Sequence, residues 1–419
     1  AVLATLMTAV GAGGAGAATF TVNTTSDTDD GTCNGAHCSL REALAAARTV
    51  GGPHTIAFDI PGTGVRTIAV GSTCLPRVNT QVTIDGYTQP GSTPNTNATG
   101  AINAVPLVEV ISSSCNYGLL ETEDWHGELT VRGLVLSGPS TKVGAFTGGT
   151  LRVEGCFIGT TAGGMAAALP LSATWGYGVL PNAGPAVVGG LTPAARNVIS
   201  GNRVGIRVGD STTTIVQGNL IGTNKLGTAA VPNGNGFVSG GCNGGNATLQ
   251  IGGATPEARN VVSGNVETGV SVGGRGAGCG DYTSVNSFIK GNYIGTDVTG
   301  TQPLGNDRGV IIDAGPDLYV GGTAPGEGNV VAFNSGAGIT AYQGGVIPVG
   351  TDYMAVGEML SLDVRRDFTY LHPDVLLERC EVTGDTLILR NETNWEQYRV
   401  VILPGCRVIS ADVLQRIRE

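Results

Sequence analysis

The feature that most restricts how this chain can fold is a passage that recurs three times. It reads Val188-Gly-Gly-Leu-Thr-Pro-Ala-Ala-Arg-Asn197-Val-Ile-Ser-Gly-Asn202, then Ile251-Gly-Gly-Ala-Thr-Pro-Glu-Ala-Arg-Asn260-Val-Val-Ser-Gly-Asn265, then Val320-Gly-Gly-Thr-Ala-Pro-Gly-Glu-Gly-Asn329-Val-Val-Ala-Phe-Asn334. Between the copies run Val216-Gln-Gly-Asn-Leu-Ile-Gly-Thr223 and Ile289-Lys-Gly-Asn-Tyr-Ile-Gly-Thr296, with a weaker forerunner at Val153-Glu-Gly-Cys-Phe-Ile-Gly-Thr160. From Asn197 to Asn260 is 63 positions and from Asn260 to Asn329 is 69. Each unit is therefore expected to hold three coils of roughly 20–24 residues, within the range of solenoid repeats.

Each coil is built of very short strand-forming runs, such as Val198-Ile199, Gly205–Val208 and Gly309–Ile312, punctuated by Gly, Asn and Asp. The chain must turn every few residues, which leaves no room for a helix of ordinary length in each coil. Strands this short are stable only when stacked coil on coil into parallel sheets. The expected fold is all-β, a right-handed parallel β-helix, in preference to a propeller, whose blades need four strands of ordinary length. Glycine supplies 69 of 419 residues and charged side chains only 13%, consistent with corners that need positive φ. Asn at one repeated register is expected to ladder its amides along the stack.

A solenoid exposes an apolar cross-section at each end and needs caps. Cys38-Ser39-Leu40-Arg41-Glu42-Ala43-Leu44-Ala45-Ala46-Ala47 supplies a helix for that purpose. Ser39 and Glu42 have capping-box spacing, and Leu40, Leu44 and Ala47 make one apolar face. Upstream, residues 1–18 pair an apolar run with Ala15-Gly16-Ala17, which reads as the remnant of a secretory signal peptide. Nine cysteines suit an exported protein. Cys33 and Cys38 bracket a short loop and are the first candidate bridge. Cys74 with Cys115 and Cys242 with Cys279 are further candidates, whose connectivity spacing alone leaves open.

Phe20-Thr-Val-Asn-Thr-Thr-Ser-Asp-Thr-Asp-Asp-Gly-Thr-Cys33 followed by Cys38-Ser-Leu-Arg-Glu-Ala43 resembles the CSLREA motif that opens many exported bacterial β-helix proteins. Ile84-Asp-Gly-Tyr-Thr-Gln-Pro-Gly91 and the Gly-Asn-x-Ile-Gly-Thr passages resemble the body of the same proteins. The resemblance covers about residues 19–340 and implies a pectin-lyase-like β-helix at the cell surface or outside the cell. It implies far less about activity. The expected organisation is a signal remnant at 1–18, an N-terminal cap at 19–60, a β-helix at 61–344 and a different module at 345–419.

That last boundary is compositional. From Gly345 to Glu419, 20 of 75 residues are charged, against 36 of the 344 before them. The tail reads as a short, truncated α/β segment, with strands at Asp385–Leu389 and Tyr398–Leu403 and a helix after Ser410. Tyr370-Leu-His-Pro373 and Tyr398–Gly405 resemble part of a glutamine-amidotransferase-like accessory domain of glycoside hydrolases. The tail is thus either foreign to the β-helix or incomplete. Cys406 follows a strand, but no His follows it, and a buried structural cysteine is the better reading.

Chemistry is sparse. A net charge of −10 with three scattered lysines argues against nucleic acid, and no apolar stretch of the mature chain reaches the length of a membrane span. Hydrolysis of a polysaccharide needs paired carboxylates and a lyase needs a base with charge neutralisation, commonly by Ca2+; no zinc spacing occurs and no motif supports calcium, so no cofactor is expected, with Ca2+ left open. Glu121, Glu123, Asp124, Trp125 and His126 form the one gathering of acid, aromatic and imidazole, a candidate sugar-binding cluster, with an exposed turn whose Trp125 covers a coil edge as the better reading. Asp297, Asp307, Arg308 and Asp313 lie near one repeat, with Asp297 read as a turn residue. Asp29-Asp30 reads as a solvated turn, and His37 and His54 as turn residues. The expected function is a secreted or cell-surface, non-catalytic β-helix for adhesion or glycan binding. The alternatives are a polysaccharide-active lyase or hydrolase, and a structural stalk.

Overall fold

The computed structural model describes residues 16–112, 118–123, 126–145, 148–209, 213–240, 246–273, 283–284, 287–313, 318–322 and 324–341, and the backbone of three short strands between 380 and 398. Three all-parallel sheets of 11, 9 and 8 strands run through the body, and the chain visits them in rotation. The fold is a parallel β-helix, for which the right-handed crossover is the sterically favoured hand. No described helix is long and apolar enough to cross a membrane.

Each sheet carries an inward column of apolar residues in exact vertical register. In the first it is Val153, Val188, Val216, Ile251, Ile289 and Val320. In the second it is Leu136, Ile158, Ile199, Ile221, Val262, Ile294 and Val331. The third stacks Val143, Val179, Ile206, Phe237, Val270, Val310 and Ile339. All of these are buried. Strands too short to stand alone are thus held by burial of like on like along the axis.

The expected three coils per unit are in fact two. Between Val188 and Ile251 the first sheet contains only the strand Thr213–Gln217. The length misleads because each coil of these units carries an insert. One coil type adds a 3-10 turn between the first and second sheets, at Pro193–Ala195 and Pro256–Ala258. The other adds a hairpin between the second and third, closed by bridges Thr160–Ala167, Thr223–Ala230 and Thr296–Pro303. These inserts explain why the two-residue strands of the second sheet are apolar on both faces. Outward-facing Phe157, Val198, Leu220 and Val261 form a second core with Ile102, Ala104, Ala162 and Val298 from the covering loops.

Two asparagine ladders run inside the turns. Asn197, Asn219, Asn260, Asn292 and Asn329 stand in line, each Nδ2 donating to the next Oδ1 over 2.8–3.1 Å and also to a carbonyl of the coil before, as Asn260 does to Val216. Asn202, Asn233, Asn265, Asn306 and Asn334 repeat the arrangement at the other turn. Beside the second ladder runs a glycine column, where an added Cβ would meet the carbonyl oxygen of the next coil's glycine at 2.3–2.8 Å. A Cβ at Gly178, Gly205, Gly236, Gly269 or Gly309 would lie 2.9–3.2 Å from a ladder amide nitrogen.

The helix Leu40–Thr49 has the expected capping box, with Ser39 and Glu42 satisfying each other's backbone N–H groups. It connects the first two strands of the first sheet, Ala18–Val22 and His54–Phe58, which pair in parallel. Leu40, Ala43, Leu44 and Ala47 close the core at this end. Arg41 pairs with Asp27 at 2.7 Å and donates to the carbonyls of Thr73 and Cys74, so the motif residues pin the cap to the next coil. Cys33 and Cys38 are bridged, as expected. Cys74 is disulfide-bonded as well; Cys115, Cys242 and Cys279 lie outside the described residues. His54 is not a turn residue: it is buried in a strand, edge-on to Phe20.

In the tail, Cys380–Thr383, Thr386–Arg390 and Trp395–Tyr398 form an antiparallel sheet. The first expected strand matches the second of these. The expected strand at 398–403 overlaps the third only at Tyr398, and the expected helix, His372 and Cys406 lie outside the described residues.

Candidate functional site

The cluster expected around residue 121 divides. Glu121 ends a two-residue strand of the third sheet and is buried, with Oε2 3.2 Å from Arg77 Nε. Burial pushes its carboxyl up from the ordinary range, against the pull of Arg77. Glu123 lies 2.8 Å from Arg48 of the capping helix, and Arg48 also donates to the Arg77 carbonyl. Glu123 therefore fastens the cap to the body, while Glu121 holds Arg77 within the body. His126 is exposed in a turn, while Asp124 and Trp125 lie outside the described residues. Asp297 is a turn residue as expected: its Oδ1 accepts from the Thr299 hydroxyl and from the N–H groups of Thr299, Thr301 and Gln302, which together hold its carboxyl below the usual range despite burial. Asp307 lies 3.7 Å from its neighbour Arg308 and its Oδ1 accepts from the Ser335 hydroxyl at 3.3 Å; the side chain of Asp313 lies outside the described set.

A surface absent from the sequence reading emerges on the outer face of the first sheet. One outward column runs Thr83, Thr130, Arg152, Val187, Ile215, Gln250, Phe288, Tyr319 in register. Beside its early coils stand Asp85, Arg132 and Glu154, also in register, with Arg152 bonded to Glu154 at 2.7 Å. Beside its late coils stand Gln217 and Lys290, the latter paired with Glu327 at 2.9 Å and placed over the Phe288 ring. Tyr319 is 52% exposed. The face thus changes along the axis from charged to aromatic and amide-bearing. The signal was present in the sequence, but only an alignment by coil lines up Gln250, Phe288 and Tyr319.

A second feature escaped the sequence reading because it needs the Cys33–Cys38 loop to fold back. His37 Nδ1 lies 3.3 Å from Asp30 Oδ2 and 3.0 Å from Glu42 Oε2, and these are the one described group of three His, Cys, Asp or Glu able to hold a metal ion.

Two further buried reactive groups are Cys156 and Lys142. Cys156 takes the first-ladder position one coil above Asn197: its N–H donates to Asn197 Oδ1 and its Sγ approaches the Val131 carbonyl. Burial pushes its thiol up to about 12, which makes it a poor nucleophile. Lys142 precedes Val143 where later coils have glycine; its Nζ is buried without a hydrogen-bond partner, and burial pulls it down to about 8.

No protein-family model matches the chain, and no curated protein matches it in sequence.

Proposed function

We propose that this chain is an exported β-helix protein of the CSLREA-bearing, pectin-lyase-like kind that binds a glycan on the outer face of the first sheet without processing it. The observation that carries the reading is the in-register run of Gln250, Phe288 and Tyr319, flanked by Gln217 and the Lys290–Glu327 pair. Flat aromatic faces take the C–H faces of sugar rings, and neighbouring amides and ion pairs take hydroxyls. Strands about 4.8 Å apart would offer successive sugar units successive coils. Support against catalysis comes from Glu121 and Glu123, whose carboxylates are engaged by arginines. The Cys33–Cys38 bridge supports an oxidising compartment. The test is binding to immobilised polysaccharides by the wild type and by Tyr319→Ala. Loss of one stacking ring should weaken binding about tenfold, equal to about 1.4 kcal/mol. Turnover of any bound polysaccharide, or unchanged binding in the variant, would overturn the reading.

A further inference from the structure

We propose that Asp30, His37 and Glu42 form a zinc site in the N-terminal cap. One imidazole nitrogen and two carboxylate oxygens are a donor set suited to Zn2+, and three protein ligands leave a fourth position for water. The three donor atoms lie within 4.8 Å of one another. The two His37 contacts, 3.0 and 3.3 Å, match donors spaced about 3.3 Å apart around a tetrahedral ion with bonds near 2.0 Å.

An imidazole simply bonded to one carboxylate would look different. The His37 Nδ1 atom is screened from solvent and close to both oxygens, yet makes no directional hydrogen bond to either. Each carboxylate is also oriented by its other contacts. Asp30 Oδ1 accepts from the Thr32 N–H, which leaves Oδ2 toward His37. Glu42 accepts from the Asp30 and Ser39 N–H groups, and its side chain is 1% exposed. The nearest motif cation, Arg41, is taken by Asp27. Two oriented carboxylates thus face one imidazole with no arginine or lysine between them. The disulfide closes the loop that carries His37, so the ligands are brought together before any ion arrives.

Titration of the metal-stripped full chain with ZnCl2, in competition with a chromophoric chelator, tests the assignment. One equivalent should bind with submicromolar affinity and raise the melting temperature, with Mn2+ and Ca2+ much weaker. His37→Ala should weaken zinc binding at least about 100-fold, and Asp30→Asn, which keeps the Oδ1 turn contact, should also lower it. His126→Ala should leave it unchanged. Histidine ring-nitrogen NMR adds a readout independent of stability: zinc should move Nδ1 of His37 alone. Absence of stoichiometric binding, or binding that survives His37→Ala, overturns the site. Neither result bears on glycan binding by the first sheet.

Discussion

The two asparagine ladders use the same residue and the same direction of donation, yet they begin differently. The first is closed at its head, because the Cys156 N–H donates to Asn197 Oδ1 at 2.8 Å. The second is open: Asn202 Oδ1 is buried without a partner. Trp175 stands at the corresponding register one coil above, and its N–H donates instead to the Pro139 carbonyl. Lys142 occupies the register of Gly178 at the same end of the neighbouring glycine column. A repeated amide stack is thus only as good as its first acceptor, and the two ladders should differ in what they contribute.

The largest expected effect comes from cutting each ladder. Asn260→Ala removes the amide of a buried residue whose donors and acceptor are all engaged, and should cost about 4 kcal/mol by denaturant titration. Asn202→Ala removes an amide whose acceptor is already idle and should cost about 2 kcal/mol; equal losses would break the comparison. Next comes Lys142→Met. The unfolded lysine keeps its proton to about 10.5 and the folded one only to about 8. Below pH 8 both states are charged and the burial penalty is felt in full. From pH 8 to 10.5 the folded chain releases a proton that the unfolded chain retains, so stability rises with pH. The variant should be more stable at pH 7 by up to about 3 kcal/mol and should lose that rise, as melting curves across this range will show. The smallest effect is a repair. Trp175→Asn supplies the missing donor to Asn202 Oδ1 and should add about 1 kcal/mol, measured by the same titration. Cys156 offers the first ladder no such gain.

How much of this could be read in advance follows from the range of each interaction. Asn197, Asn260 and Asn329 stand in line because repeat register is written directly in the sequence. The helix cap was equally local, since Ser39 and Glu42 are three residues apart. The coil count failed because inserts of the Thr-Pro-x-Ala-Arg and hairpin types add length without adding a turn of the solenoid. The cluster at residue 121 failed for the opposite reason: Glu121, Glu123 and His126 are neighbours in sequence, but arginines at 77 and 48 decide where the two carboxylates lie. Asp30, His37 and Glu42 were individually visible, and only the closed loop brings them together.

Arg196 carries a consequence for how this solenoid comes apart. Its guanidinium donates to the carbonyls of Gly218, Asn97 and Gly100, while Asn95 reaches back to the Pro193 carbonyl. A stack whose turns touch only their neighbours can peel from one end in small steps. This strut ties positions nearly a hundred residues apart across the intervening turns. That stretch should therefore open in a single cooperative event, and a pulling or hydrogen-exchange experiment would register it as one block.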